Sequence, residues 1–170
     1  FSQYDVIGTH GLEVMPGAQL RVQMPVQRYA SGARAAQDKA QALQVWTPAL
    51  YQEDPVKSVL TQRRGASLLL QAGTLPATSL VVADGARVEV DPGQRINLTG
   101  IGQITLNGVF NAWSGRIAVS AVGEMEDLAA QGSGRSIWIG ERAVLDVAAR
   151  AATAINRDGQ AYGKGQDGGA

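Results

Sequence analysis

Hydrophobic residues along this chain fall in short alternating pairs, and three stretches that carry them can be laid over one another without a gap. Leu12, Val14, Ala18, Leu20 and Val22 recur as Leu80, Val82, Ala86, Val88 and Val90, and again as Ile137, Ile139, Ala143, Leu145 and Val147. Each time an apolar pair at strand spacing is followed by a turn ending in alanine and then by a second apolar pair. Alternation at period two places such residues on one face of a strand, and recurrence of the whole unit marks a repeat architecture. Gly17 and Gly85 precede the alanine in two of the turns, while the third has Arg142 there and Gly140 two residues earlier. Glycine admits the tight backbone by which one short strand bends directly into the next.

From Leu80 the alternation continues through Val88-Val90, Ile96-Leu98, Ile104-Leu106 and Ile117-Val119, separated by turn formers such as Asp91-Pro92-Gly93, Asn107-Gly108 and Ser114-Gly115. Connections this short rule out βαβ crossovers, which need a dozen or more residues, and leave hairpins or a helical coil of strands. Leu80 and Ile104 lie 24 residues apart and enclose three strand-turn units, about one circuit of a three-sided β-helix. The predicted fold is therefore all-β, a parallel β-helix or solenoid over residues 1–170 with short helical or loop excursions at about 26–58 and 122–133. Ser31 to Leu43, rich in helix formers after a serine, predicts a short helix or ordered loop held down by Trp46, Pro48, Leu50 and Tyr51. Gly123 to Ala130 predicts one or two acidic helical turns. Gly8-Thr9-His10-Gly11 leads straight into a repeat and Gly168-Gly169-Ala170 leads straight out, so the chain is expected to be a segment of a longer rod.

Composition supports a core of small and medium aliphatics. Hydrophobic residues make up 45% of the 170, aromatics only 5%, and there are 21 glycines. Fifteen basic and 15 acidic residues balance, which removes any overall field for nucleic acid or an anionic membrane; Arg63-Arg64 is too small a basic cluster for a nucleic-acid footprint. No apolar run approaches the roughly 20 residues of a membrane span, so neither nucleic-acid binding nor membrane insertion is expected. The absence of cysteine excludes disulfides and thiolate metal sites and leaves the compartment open.

Candidate chemistry is sparse. His10 is the only histidine, and no Gly-x-Ser-x-Gly elbow accompanies it. One histidine, no cysteine and no Asp-x-Asp loop argue against a metal, and Gly163 to Gly169 does not fit the nonapeptide calcium repeat. No catalytic residue, cofactor or metal site is expected. Glu89 and Asp146 occupy equivalent outward positions in their repeats and form the one carboxylate pair to weigh for sugar cleavage against a merely solvated face. Among aromatics, Trp113 in a turn and Trp138 between Ile137 and Ile139 could stack on sugars or pack beneath an excursion. With Trp46 and Tyr51 they form the candidate recognition set. Asn97-Leu98-Thr99 matches a glycosylation sequon but falls within a strand.

The phrases Leu60-Thr61-Gln62-Arg63-Arg64-Gly65-Ala66-Ser67-Leu68, Val90-Asp91-Pro92-Gly93, Gly102-Gln103-Ile104-Thr105-Leu106-Asn107-Gly108 and Ser136-Ile137-Trp138-Ile139-Gly140-Glu141 resemble those of large filamentous-haemagglutinin-like exoproteins of Gram-negative bacteria. The resemblance runs from Tyr4 to Gly169 and is most specific from Leu60 to Val147. It implies a right-handed parallel β-helix from a two-partner secretion passenger, exported through an outer-membrane transporter and secreted or held at the cell surface. It also implies a structural and adhesive role in cell-cell, host or biofilm-matrix attachment, with a host receptor or polysaccharide as partner. Alternatives are a β-helical polysaccharide lyase or hydrolase, and the stalk of a contact-dependent growth inhibition toxin. The Asn-Pro-Asn motifs of the family's secretion domain do not occur in this chain, and no catalytic residue is carried over.

Overall fold

The computed structural model describes residues 2–30, 43–73, 78–122 and 136–170. Among these the chain is all-β, without a helix, and it divides into two compact units. The first comprises Phe1–Val22, Gly65–Ala151 and Gly165–Ala170; the second comprises Gln23–Arg64 and Ala152–Lys164.

In the first unit the chain visits three parallel sheets in the same order, round after round. The first round supplies β1 (Gln3–Gly8), β2 (Leu12–Val14) and β3 (Gln19–Val22). In the second unit follow β4 (Val26–Tyr29), β5 (Leu43–Trp46), β6 (Tyr51–Asp54) and β7 (Val59–Gln62). The second round is β8 (Ser67–Ala72), β9 (Leu80–Val82) and β10 (Arg87–Val90), and the third is β11 (Arg95–Gly100), β12 (Ile104–Leu106) and β13 (Val109–Asn111). The fourth is β14 (Arg116–Ala121), β15 (Ile137–Ile139) and β16 (Val144–Asp146), followed by β17 (Arg150–Ile155) and β18 (Ala161–Gln166). The sheets are ordered β1-β8-β11-β14, β2-β9-β12-β15 and β3-β10-β13-β16.

Register follows the overlay seen in the sequence. Leu12 faces Leu80 and Val14 faces Val82; Leu20 faces Val88 and Val22 faces Val90; Ile104 sits between Leu80 and Ile137. A one-residue slip would turn every aliphatic outward, so burial of one face fixes this register. The interior is dry: Leu68, Leu70, Leu80, Val82, Val88, Val90, Ile96, Leu98, Ile104, Leu106 and Phe110 are all fully buried. Burial fades at the outer strands. Leu145, expected inside, is 39% exposed, and Ile137 and Ile139 are exposed as well. They lie on β15 and β16, which among the described residues have a strand on one side only.

The corners between the sheets differ in length. Between the second-sheet and third-sheet strands, residues 15–18, 83–86 and 140–143 each make the turn, but the third round uses only Asn107 and Gly108. A Cβ on Gly108 would lie 2.7 Å from the Ala86 carbonyl oxygen and 2.8 Å from Val82 Cγ1, so only glycine fits so tight a corner. Between the third-sheet and first-sheet strands, residues 91–94 and 112–115 make short corners in the middle rounds. The same corner expands to residues 23–66 in the first round and holds β17 and β18 in the fourth. The fourth-round chain returns where the Gly169 N–H donates to the Val147 carbonyl (2.8 Å) and the Ala170 N–H to the Gly115 carbonyl (3.0 Å) on the edge beside β14.

The second unit is built of antiparallel pairs. β4 pairs with β5 and β6 with β7, the latter turn closed by Asp54 Oδ1, which accepts from the N–H groups of Val56 (3.1 Å) and Lys57 (3.0 Å). β17 pairs with β18 across a loop organised by Asn156, whose Oδ1 accepts from the N–H of Asp158 (3.0 Å) and of Gln160 (2.9 Å). The Asn156 amide donates to Ser58 Oγ (3.1 Å), tying that loop to the β6–β7 turn. Within the excursion expected at 26–58 as a helix or loop, the described residues form the strands β4, β5 and β6 joined by loop and turn at 47–50 and 55–58, because Val26, Tyr29, Val45, Trp46 and Tyr51 favour extended pairing. Residues 31–42 of the expected helix, and the acidic turns expected over Gly123–Ala130, lie outside the described residues.

Candidate functional site

Strand alternation decides which side chains of the first unit face outward. On the second sheet the outward row is Glu13, Val81, Thr105 and Trp138; on the third it is Arg21, Glu89, Asn111 and Asp146. The two carboxylates singled out from the sequence therefore share one row. They are two strand spacings apart, roughly 10 Å, with buried Asn111 between them. Glu89 is engaged by Arg21, whose Nε lies 3.1 Å from Oε1. Asp146 Oδ1 accepts from the Ala148 N–H (2.9 Å) and Oδ2 from the Trp113 indole N–H (2.8 Å). These two bonds, in that order, hold its carboxyl below the ordinary range, with help from Arg150 and against the effect of burial.

Trp113 is committed on both its edge and its face. Beyond the bond to Asp146, the Arg150 guanidinium lies 3.8 Å from its ring centroid, a cation–π stack. Ser114 next to it accepts from the Arg150 N–H at 3.0 Å. Together these contacts fasten the root of β17 to the neighbouring corner at residues 112–115. Trp46, on β5 of the second unit, is 38% exposed and carries the Arg28 guanidinium 4.6 Å from its centroid. Tyr51, on β6, is half-buried. Also in the second unit, burial raises the Tyr162 phenol above its ordinary range, and the Glu53 and Asp54 charges add to this.

Trp138 stands apart. It is 62% exposed, and among the described residues neither its ring nor its N–H is engaged. It borders an open cavity of about 340 Å³ lined by Asp84, Asn107, Trp138, Gly140, Glu141 and Arg142. Its lining is drawn from three successive corners: Asp84 from 83–86, Asn107 from the two-residue corner 107–108, and Gly140, Glu141 and Arg142 from 140–143. Arg142 Nη1 spans from the last of these to the first, 2.6 Å from Asp84 Oδ2. Asn107 lies at the base against Gly140, where any Cβ would strike its Oδ1.

No family model, curated protein or solved structure matches the chain.

Of the four aromatic candidates, the structure places Trp113 and Trp138 in the first unit, in separate settings, and Trp46 and Tyr51 in the second. Asp84, Asn107, Glu141 and Arg142 escaped the sequence reading. The signal that could have found them is the two-residue shortening of one corner relative to its neighbours. Among the described residues no three His, Asp or Glu side chains gather as metal ligands, and no helix is long and apolar enough to cross a membrane. His10 is exposed, with its Nδ1 3.0 Å from Thr9 Oγ1.

Proposed function

We propose that the chain is a segment of a right-handed parallel β-helix from a filamentous, haemagglutinin-like exoprotein, exported through an outer-membrane transporter and acting as an adhesive rod at the bacterial surface. What supports this reading is the fourfold return of the chain to three parallel sheets with aliphatics stacked in register, joined to the sequence resemblance from Leu60 to Val147. A scaffold of this kind holds its interior constant and leaves outward rows and corners to make contacts with a host receptor or a polysaccharide.

The enzymatic alternative finds less support. A glycosidase acid needs a carboxyl held protonated near neutrality, whereas Asp146 is shifted the other way and Glu89 is tied to Arg21. The test is adhesion. The chain, fused into an exported passenger and displayed on a non-adherent bacterium, is expected to increase attachment to epithelial cells or to a polysaccharide-coated surface over an unfused control. Surface-displayed, protease-resistant protein that leaves attachment at the control level would refute the adhesive role.

A further inference from the structure

We propose that the notch formed by Trp138, Asn107, Glu141 and the Asp84–Arg142 pair is a binding subsite for the ring of a neutral sugar. The notch is built by the fold. Its lining comes from three successive corners, the middle one two residues shorter than its neighbours; glycine at 140 keeps a side chain from striking Asn107 Oδ1, and Arg142 bridges from its own corner to Asp84. Its volume of about 340 Å³ falls at the small end of the roughly 300–1,000 Å³ typical of ligand sites, room for one or two pyranose rings.

Three features select the ligand class. A pyranose has an apolar C–H face and a hydroxyl rim, and an open indole beside fixed polar groups matches both. The contrast among the tryptophans makes the point: Trp113 and Trp46 have arginines on their rings, whereas Trp138 has both face and N–H available among the described residues. Hydroxyls both donate and accept, so their partners must as well. The Asn107 amide does both, the Glu141 and Asp84 carboxylates accept, and Arg142 donates. Charge settles the rest. The lining carries two carboxylates against one guanidinium, and that guanidinium is already turned to Asp84. A sulfate, phosphate or uronate would meet Glu141 without a compensating cation, which leaves an uncharged sugar as the best fit.

An open site of this size holds its ligand weakly, with Kd expected on the order of 1 mM, and gains strength by repetition on a surface carrying many copies. The site stands on its own geometry; only that gain rests on the adhesive reading.

The experiment is an NMR titration of the full ¹⁵N-labelled chain with methyl β-galactoside, lactose, cellobiose and diacetylchitobiose in turn, with choline and a sulfated lactose as charged comparators. At least one neutral sugar should move the Trp138 indole N–H and the amides of Asn107 and Gly140 in a saturable way, and leave the Trp113 indole in place. Trp138→Ala should weaken that binding about tenfold or more, and Trp138→Phe should retain part of it. Glu141→Lys, on an exposed corner where folding is not at stake, should also weaken it. No saturable shift with any neutral sugar, shifts centred away from the notch, an unchanged affinity in a folded Trp138→Ala or Glu141→Lys chain, or tighter binding of choline or the sulfated sugar would each overturn the proposal. Attachment of displayed cells, measured in parallel, separates the two readings. Notch shifts without attachment would sink the adhesive role alone, and attachment without notch shifts would sink the sugar site alone.

Discussion

Replacing Phe110 with alanine probes the interior where it is thickest. Phe110 is the largest fully buried side chain among the described residues, and it sits in one column between Val88 and Leu145. Returning its ring to water forfeits about 2–3 kcal/mol of transfer free energy. The void left, roughly 100 Å³ if the neighbours do not collapse, adds about 2 kcal/mol at 24 cal/mol per Å³. A loss of about 4 kcal/mol is expected, within the usual range for buried phenylalanine. Leu145→Ala, one strand along in the same column but 39% exposed, removes less buried area and opens no closed cavity, so about 1 kcal/mol is expected. Equilibrium urea unfolding followed by far-ultraviolet circular dichroism reads both, provided the slope with denaturant is unchanged between variants. If the two substitutions fall within about 1 kcal/mol of each other, the reasoning that stacking on both sides makes the interior is wrong.

Two further substitutions test neighbouring claims. Val88→Asp would strand a carboxylate in the fully buried column and is expected to cost more than about 4 kcal/mol or to abolish soluble expression. Arg87→Asp, one residue back and outward, should change the melting midpoint little; equal tolerance of both would invert the in-out assignment. Asp146→Asn tests the fastening of Trp113. Because the folded-state pKa of Asp146 is depressed, its ionised form contributes stability that is fully present above the unfolded value of about 3.9 and is lost as pH falls through the lower folded value. The stability difference between wild type and Asp146→Asn should thus be constant near neutral pH and shrink in acid below about pH 4; a difference that instead grew on acidification would contradict the bonding described.

The column was legible because stacked aliphatics leave a periodic trace. The overlay of Leu12, Leu80 and Ile137, and of Leu20, Val88 and Leu145, reappears as sheet register wherever the fold pairs them. Phe110 and β13 were missed for a physical reason. The tight Asn107-Gly108 corner puts the third round two residues out of step, which a gap-free overlay cannot follow. The strands of the second unit were hidden by the helix-forming run after Ser31, whose neighbours Val26–Tyr29 and Leu43–Trp46 pair antiparallel. Local propensity cannot foresee such a pairing. Trp138 was visible from alternation alone, but not its surroundings, because Asp84, Asn107 and Arg142 meet only when successive rounds are stacked.

The corner that leads from the third sheet to the first is four residues long in the middle rounds, yet it holds residues 23–66 in one round and an entire strand pair in another. Closing a loop becomes costlier only with the logarithm of its length, about 0.6 kcal/mol for each doubling. The strands on either side keep their partners whatever intervenes. A chain with such a junction can acquire, exchange or discard whole appendages there and still fold, so variation among related sequences should concentrate at that vertex while the stacked faces stay the same.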